Sequence, residues 1–173
     1  MNGTRELKTQ RLLLRRYRRE DAAVLHREFG VEGEMFAYSG WNPYATEEMA
    51  AQTVERFLAA YSDQSFYGWA VEEEGQLVGT VGAYDYDPET GSIEVGLSIR
   101  RDRWGRGFAA ETLGRVLAYL TGEEGIREVR AWCAPENVGS RKTMLRAGMT
   151  QAGTEAGALT VGDRTYDKLL FTY

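Results

Sequence analysis

The sequence contains one cysteine and one histidine, and both scarcities exclude classes of protein. Because Cys133 is alone, no disulfide forms within the chain. It ends the run V-R-A-W-C at residues 129–133, which is typical of a strand, and we expect a small buried side chain there rather than a nucleophile. His26 has no cysteine or histidine close to it in sequence, which argues against a metal site and a His-dependent catalytic triad.

Long apolar runs and an excess of positive charge are also missing. No stretch approaches the roughly 18 apolar residues of a membrane span, and residues 1–6 are too polar for a signal peptide. We therefore expect a cytoplasmic protein that contacts no membrane. The net charge of −5 argues against non-specific binding to nucleic acid, and it is compatible with a cationic substrate such as an amine.

The composition and the continuity of the chain predict one globular domain that spans residues 1–173. Hydrophobic residues make up 43% of the chain and charged residues 27%, and neither a repeat nor a linker interrupts it. Periodicity predicts strands at residues 12–14, 66–72, 77–84, 92–99 and 127–133, and a terminal pair within 149–173 that turns near Gly162 and Asp163. It predicts helices at residues 21–29, 46–61, 106–121 and 137–147, and a loop or broken helix within 30–45.

This order of elements predicts the fold class. Short links between the three middle strands make them antiparallel neighbours, whereas the strand–helix–strand stretch from 92 to 133 is parallel by the crossover rule. We expect an α/β (mixed α+β) fold: a central, mixed, mostly antiparallel sheet of about six to seven strands, with helices on both faces.

A glycine-rich turn joins a strand to a helix in the middle of the chain. Residues 92–99 (S-I-E-V-G-L-S-I) alternate aliphatic with polar or small side chains, and residues 104–111 (W-G-R-G-F-A-A-E) follow. Small side chains let the backbone approach a bound group. The first turn of a helix has amides without intrahelical partners and lies at the positive end of the dipole, which suits a phosphate or diphosphate.

The turn does not match the two common nucleotide-binding patterns. The phosphate-loop pattern G-x-x-x-x-G-K-S/T is absent, and G-x-G-x-x-G is met only in part, since Ala110 follows Gly105 and Gly107 at the third position. No acidic residue follows at the end of a second parallel strand, and the antiparallel meander upstream disagrees with a doubly wound fold. Taken alone, the turn is either a phosphate site or a plain packing turn.

Several motifs in the correct order resemble the GNAT superfamily of acetyl-CoA-dependent N-acetyltransferases. Residues 104–109 (W-G-R-G-F-A) look like its acyl-CoA pyrophosphate motif, usually Q/R-x-x-G-x-G/A, with Trp104 in place of Gln or Arg. That replacement is typical of the branch resembling the ribosomal-protein N-terminal alanine and serine acetyltransferases. Residues 137–140 (N-V-G-S) are similar to its N-x-x-S, Gly148-Met149 takes the place of its G-F, and residues 10–15 (Q-R-L-L-L-R) look like its opening strand.

The resemblance implies acetyl-CoA as cosubstrate and no metal. Amides of residues 106–110 would hold the diphosphate, and main-chain groups of residues 97–99 would pair with the pantetheine arm like an added strand. Asn137 would hydrogen-bond the pantetheine or hold the end of the fifth strand, and Ser140 would lie near the thioester sulfur. The cofactor-binding residues implied in this way are Leu97, Ser98, Ile99, Gly105, Arg106, Gly107, Phe108, Ala109, Ala110, Asn137 and Ser140.

Glu94 is the predicted general base. An alkyl ammonium must lose a proton before it attacks a thioester, and a carboxylate that acts directly or through water can accept that proton. Glu94 shares a strand face with Gly96 and Ser98, while its apolar neighbours point to the other face. The alternative is that Glu94 only bonds a neighbouring backbone group or an arginine.

Ser140 is the second predicted catalytic residue. Many GNAT enzymes carry a proton-donating tyrosine where this chain has Met144, which cannot donate. By the resemblance Ser140 would stabilise the leaving thiolate instead; the alternative is a local helix cap. A main-chain amide of the strand that carries Leu97 and Ser98 would meet the oxyanion.

The acceptor is expected to be a primary amine, either a protein N-terminal α-amine or a small-molecule amine such as an aminoglycoside or polyamine. The first two helices, their loop and the terminal hairpin would select it. Candidate lining residues are Trp41, Asn42, Tyr44, Tyr84 and Tyr86, although aromatic residues more often belong to a core. A CoA-binding regulatory module without turnover and a homodimer are both left open.

Overall fold

The computed structural model describes residues 1–31 and 36–173. Its strands are β1 (Leu7–Lys8), β2 (Leu13–Arg15), β3 (Tyr67–Glu73), β4 (Gln76–Asp87), β5 (Ser92–Ile99), β6 (Glu128–Cys133), β7 (Thr150–Val161) and β8 (Arg164–Thr172). Its α-helices are α1 (Asp21–Leu25), α2 (Glu47–Ala60), α3 (Phe108–Gly122) and α4 (Val138–Arg146). Residues 32–35, part of the segment expected to be a loop or broken helix, lie outside the described residues.

The strands form one sheet with the order β1-β2-β3-β4-β5-β6-β8-β7. The β5–β6 pairing is parallel and the remaining pairings are antiparallel, so the predicted mixed sheet and its crossover through α3 are confirmed. The sheet has eight strands rather than six to seven. The strand missed was β1, whose two residues pair with β2, with Leu7 opposite Leu14, and are too short to show a periodicity of their own.

Helices cover both faces of the sheet, as predicted. On one face α3 packs against buried side chains that alternate along β3, β4 and β5, including Trp69, Val81 and Ile93. On the other face α1 and α2 enclose a second cluster, whose members include Leu25, Val54 and Tyr44. Each large apolar side chain removed from water stabilises the fold by about 1.5–3 kcal/mol, so the two clusters fix the sheet between two helical layers.

Helix α2 begins as the sequence predicts. Thr46 is its N-cap, and the Thr46 hydroxyl accepts a hydrogen bond from the amide of Met49 (3.1 Å). Glu47 and Glu48 occupy the first turn, where negative charge offsets the positive end of the helix dipole. The apolar side chains that follow at helical spacing then contact the second cluster.

Helix α1 is shorter than predicted. The α-helical part ends at Leu25 and continues as a π-helical turn over His26–Gly30. Phe29 remains fully buried in this turn. Gly30 contacts the backbone of Tyr44, and a Cβ atom at residue 30 would lie only 1.8 Å from the Tyr44 carbonyl oxygen. The wider π-helical turn therefore buries Phe29 and places residue 30 so close to the Tyr44 backbone that only glycine fits there.

A buried charge cluster joins β2 to α1 and β3. Arg15 forms ion pairs with Asp21 (2.8 Å) and Glu72 (2.6 Å). The hydrogen bond to Asp21 is the main cause that raises the pKa of Arg15, although burial acts in the opposite direction. Removal of Arg15 would leave two buried carboxylates without a counter-charge, at a cost of about 3–5 kcal/mol, so this cluster holds the first strands in place.

Candidate active site

Strands β5 and β6 pair over only part of their length. Among the described residues the shared ladder covers residues 92–94 of β5 and 128–130 of β6. β5 nevertheless continues along β4 as far as Ile99, and β6 continues along β8 as far as Cys133. The two strands therefore diverge, and they leave a wedge-shaped opening between residues 95–99 and 131–133, called the wedge below.

The hydrogen-bond alternation of β5 decides which main-chain groups face the wedge. The amide of Arg100 donates to the carbonyl oxygen of Val78 (2.8 Å), so Arg100 bonds towards β4. In an antiparallel ladder every second residue does the same, which directs the main chain of Ser98 to β4 as well. The amide and carbonyl of Leu97, between them, point to the opposite edge and into the wedge.

The end of β5 is closed by a tryptophan of the glycine-rich turn. The indole N–H of Trp104 donates a hydrogen bond to the carbonyl oxygen of Ile99 (2.7 Å). Of the residues 97–99 that were predicted to pair with a pantetheine arm, Leu97 thus presents both its amide and its carbonyl to the wedge. Ile99 presents its amide, and the main chain of Ser98 faces β4. The pairing itself stays a prediction, now focused on Leu97.

The glycine-rich turn lies on the surface and opens helix α3. Gly107 is the N-cap residue, with φ of 80°, and Gly105 has φ of 76°. Both are left-handed backbone conformations that favour glycine, and a Cβ at Gly105 would meet nothing within 4 Å, so conformation rather than crowding requires it. The first hydrogen bond of the helix runs from the Glu111 amide to the Gly107 carbonyl (3.1 Å). The amides of residues 108–110 precede it without intrahelical partners.

Two arginines flank this turn, and each is paired with a carboxylate. The guanidinium carbons of Arg11 and Arg106 each lie 4.6 Å from the centroid of the Phe108 ring, which is buried. Arg106 also forms an ion pair with Glu73 (2.8 Å), and Arg11 forms one with Glu111 (2.7 Å). Phe108 can therefore offer a ligand its amide but not its ring.

Helix α4 begins next to the other side of the wedge. The Oδ1 atom of Asn137 accepts a hydrogen bond from the amide of Ser140 (3.2 Å), so Asn137 is the N-cap of α4. The alternative role for Ser140, a local helix cap, is therefore filled by Asn137. The Ser140 side chain lies near Cys133 at the end of β6, where it acts to lower the pKa of the Cys133 thiol.

Cys133 is buried, as the sequence predicts, with 3% of its surface exposed. Burial raises the pKa of its thiol, and the charge of Arg141 and the Ser140 side chain offset this only in part. A thiol in this state is mostly protonated near neutral pH, which favours the packing role over a nucleophilic one.

Two aromatic side chains lie beside Glu94. The indole N–H of Trp132 donates to Oε1 of Glu94 (2.9 Å), and Tyr84 is opposite Glu94 in the β4–β5 register. Desolvation and the adjacent negative charge of Glu94 raise the pKa of Tyr84. A carboxylate has about four lone-pair sites, so Glu94 can accept a further proton or hydrogen bond. Glu94, Tyr84 and Trp132 are called the Glu94 cluster below.

The other candidate lining residues have different surroundings. Tyr44 is buried in the second core cluster, where desolvation raises its pKa to about 12, so it does not line an open cleft. Asn42 braces its own loop: its Nδ2 donates to the Gly30 carbonyl and its Oδ1 accepts from the Tyr44 amide. Trp41 and Tyr86 are exposed, and no described contact joins them to the Glu94 cluster.

Two residues of this region escaped the sequence analysis. They are Trp132 and Lys168, whose Nζ atom lies 4.2 Å from the centroid of the Trp132 ring. The parallel register sets Glu94 opposite Arg130, so Trp132 comes to the face of Glu94 two residues further along β6. That register depends on how the crossover helix packs, and no local signal in the sequence reveals it.

Two negative findings complete the description. The described ranges, 1–31 and 36–173, hold no group of three or more His, Cys, Asp or Glu side chains placed to bind a metal ion. No helix in the described part of the chain is long and apolar enough to cross a membrane.

Comparison with known proteins gives concordant results. A family model described as "Acetyltransferase (GNAT) domain" matches residues 11–150. The "Uncharacterized N-acetyltransferase YoaA" of Bacillus subtilis (strain 168) is 25% identical over 168 residues, which are 96% of this chain and 94% of that protein.

Two solved structures share the fold. One is RimL, a ribosomal L7/L12 alpha-N-protein acetyltransferase in complex with coenzyme A, with a TM-score of 0.87, 15% identity and coverage of 98% of this chain and 97% of that one. The other is a chimera of the spermidine N-acetyltransferase SpeG, from Vibrio cholerae and hSSAT, with a TM-score of 0.79, 21% identity and coverage of 94% and 95%.

Proposed function

This chain belongs to the GNAT acetyltransferase family and is an acetyl-CoA-dependent acyltransferase, and we propose that it acetylates a primary amine by direct attack in a ternary complex. The observation that carries the proposal is the position of the Glu94 cluster. Glu94 lies on β5 at the residue where the strand parts from β6, so its carboxylate stands at the head of the wedge. The acceptor amine would approach from the sheet face that carries this carboxylate.

The donor side of the proposed site is built from main-chain groups. The unpartnered amides of residues 108–110 and the positive end of the α3 dipole suit the diphosphate of acetyl-CoA. The Leu97 carbonyl and the Ile99 amide, which face the wedge, suit an extended amide-bearing arm that adds to the strand edge, and this leaves the Leu97 amide for the oxyanion. A complex of RimL with coenzyme A has the same fold, which supports this placement.

The proposed chemistry follows from these positions. The ammonium of the acceptor gives a proton to Glu94, directly or through one water, and the neutral nitrogen attacks the thioester carbonyl carbon. A carbon–nitrogen bond forms and the carbon–sulfur bond breaks, with the oxyanion held meanwhile by a main-chain amide such as that of Leu97. The thiolate leaves and takes up the proton that the attacking nitrogen loses, and Glu94 returns its own proton to water, so the products are the N-acetyl amine, CoA and one proton.

Ser140 is proposed to stabilise the thiolate as it leaves. Its side chain lies near Cys133 at the end of β6, beside the wedge, and Met144 at the usual tyrosine position is buried and cannot donate a proton. A neutral hydroxyl stabilises an anion without transferring a full proton, so this contribution is smaller than that of a general base.

Two alternatives remain within the same fold. A spermidine N-acetyltransferase shares the architecture with an enzyme that acetylates a ribosomal protein, so the fold does not choose between a peptide N-terminus and a small polyamine or aminoglycoside. A CoA-binding module without turnover would keep the main-chain donor site and dispense with Glu94. The single-domain organisation, the cytoplasmic location and a homodimer likewise stay predictions.

An acceptor screen tests the proposal. Purified protein is incubated with acetyl-CoA and a panel of peptide N-termini, polyamines and aminoglycosides, and the release of CoA thiol is followed. We expect amine-dependent release with at least one acceptor. In the Ser140→Ala variant we expect roughly tenfold slower turnover with unchanged CoA affinity by calorimetry. CoA binding without thiol release for any amine would instead identify a regulatory module.

A further inference from the structure

We propose that Lys168, seated on the indole of Trp132, selects acceptors that carry a negative charge close to the amine and rejects polycationic ones. This inference rests on the proposed function and deepens it, because it names a specificity residue and a chemical class of acceptor. It depends on three observations: the shared indole, the position of Lys168 along β8, and the balance of charge on this sheet face.

Trp132 joins two opposite charges through different parts of one ring. Its N–H, at the ring edge, donates to Glu94 (2.9 Å), while the Lys168 ammonium lies 4.2 Å from the ring centroid, over its face. An indole has a positive edge and a negative face, so this arrangement satisfies both charges at once. The carboxylate and the ammonium are thereby fixed side by side and not in a direct ion pair.

The sheet register places Lys168 towards the mouth of the wedge. Trp132 is opposite Leu170 and Cys133 is opposite Leu169, so Lys168 lies one step beyond the last residue of β6. Leu170 and Lys168 share the face of Trp132, because side chains alternate along a strand. An acceptor whose amine reaches Glu94 from this face therefore passes the Lys168 ammonium.

The Lys168 ammonium is available to bind an anionic group of a ligand. Glu155 is opposite Lys168 in the β7–β8 register, yet within the described residues Lys168 makes no ion pair, and its ammonium contacts the indole. The Trp132 ring is half-buried, and a cation–π contact does not neutralise the ammonium charge, so Lys168 can still attract an anion. Lys168 is half-buried, so it is screened less than a fully exposed side chain would be.

Two fixed charges of opposite sign require a complementary pair on the acceptor. The amine meets Glu94, and a carboxylate a few ångströms away meets Lys168. A polyamine would bring a second ammonium towards Lys168 instead, and like charges at such a distance oppose binding. The geometry thus favours an amino group on a peptide whose next residues are acidic over spermidine or a lysine-rich peptide.

The test compares acceptors that differ only in charge. Two peptides with the same N-terminal residue, one with Glu at positions two and three and one with Lys there, are assayed beside spermidine. The quantity measured is the ratio of kcat/KM for the acidic peptide to kcat/KM for the basic peptide. Variants are Lys168→Met, Lys168→Glu and the charge-retaining Lys168→Arg, with Lys142→Met on the exposed side of α4 as matched control.

We expect the unaltered protein to prefer the acidic peptide, and Lys168→Met to reduce that preference about fivefold. Lys168→Glu should invert the preference, Lys168→Arg should restore most of it, and Lys142→Met should leave it unchanged. An unchanged ratio in Lys168→Met, or a preference of the unaltered protein for the basic peptide or spermidine, would overturn the inference while leaving acetyl transfer intact. Transfer to another amine of the wider panel but to none of these three acceptors would overturn the inference alone, and no transfer to any amine of that panel would overturn the proposed function as well.

Discussion

The proposed donor side and the proposed acceptor side of the wedge differ in the kind of chemical group they present. On the donor side, the α3 start and the free edge of β5 offer main-chain groups, and glycines at positions 105 and 107 set the backbone. On the acceptor side, the groups are side chains from three strands: Glu94 on β5, Tyr84 on β4 and Trp132 on β6. A constant ligand can be held by backbone geometry, whereas a ligand that differs between relatives calls for replaceable side chains.

The contrast gives each side its own sensitivity to substitution. Donor affinity should depend on backbone conformation and little on the identity of exposed side chains. Acceptor turnover should depend on functional groups and little on backbone strain. A substitution that alters only CoA affinity or only acceptor turnover would support this difference between the two sides. A substitution that alters both would contradict it.

The largest effect is expected for Glu94→Gln. Loss of the general base should lower kcat by about 10²- to 10³-fold, since a neutral amide keeps the shape of the side chain but cannot accept the proton. The affinity for CoA, measured by calorimetry, should stay within twofold, because the donor site does not use this side chain. If kcat of Glu94→Gln fell by much less than 10²-fold at every pH tested, the amine would lose its proton to another group, and Glu94 would have no part in the mechanism.

The next effect is expected for Gly107→Ala. A side chain at φ of 80° costs about 1–2 kcal/mol, and relief of this strain would tilt the amides of residues 108–110 away from the diphosphate. The Kd for CoA should therefore rise about tenfold. Gly125→Ala is the matched control, because Gly125 has φ of 72° in open space in the α3–β6 link, remote from the turn. Equal losses of CoA affinity in both variants would indicate general destabilisation.

A smaller effect is expected for Trp132→Phe. The variant keeps an aromatic ring but loses the N–H that holds Glu94, and a hydrogen bond to a charged group contributes about 1.5–3 kcal/mol at most in such positions. We expect kcat to fall about fivefold to tenfold, because the carboxylate is then held less firmly in the position that meets the acceptor ammonium. Trp69→Phe removes an indole N–H that donates to the Arg5 carbonyl in the opposite core, and it should lower Tm without changing kcat.

The smallest effect on activity is expected at Cys133. Burial raises the pKa of its thiol, so less thiolate is present in the folded chain than in the unfolded chain at the same pH. Alkylation by iodoacetamide near pH 8 should be slow in the native protein and fast in urea, and Cys133→Ala should keep kcat within about twofold. Rapid native alkylation with loss of turnover would place a reactive thiol beside the wedge.

Some structural elements could be predicted from the sequence because residues close together in the chain determine them. The limits of β5 at residues 92–99 and the turn between β7 and β8 at Gly162 and Asp163 match the structure. Alternation of aliphatic and small residues, and a glycine at the bend, suffice for both. The same holds for the start of α2, where Thr46 caps the helix as its residue type predicts.

Other features were missed or differ because neighbours distant in sequence decide them. The π-helical turn at His26–Gly30 depends on the passage of Gly30 against Tyr44, and β1 exists only through its pairing with β2. No periodicity in a single segment reports such contacts.

The sequence by itself determined the order of elements, the phosphate-suited turn and the strand that carries Glu94, since these follow from side-chain size, periodicity and backbone preference within a few residues. Only the tertiary structure decided where β5 and β6 part, which of their main-chain groups face the wedge, and that Tyr84, Trp132 and Lys168 gather around one carboxylate. The reason is physical: strand register is set by the packing of a crossover helix on a whole sheet, and a shift of one residue would turn every one of these side chains to the other face.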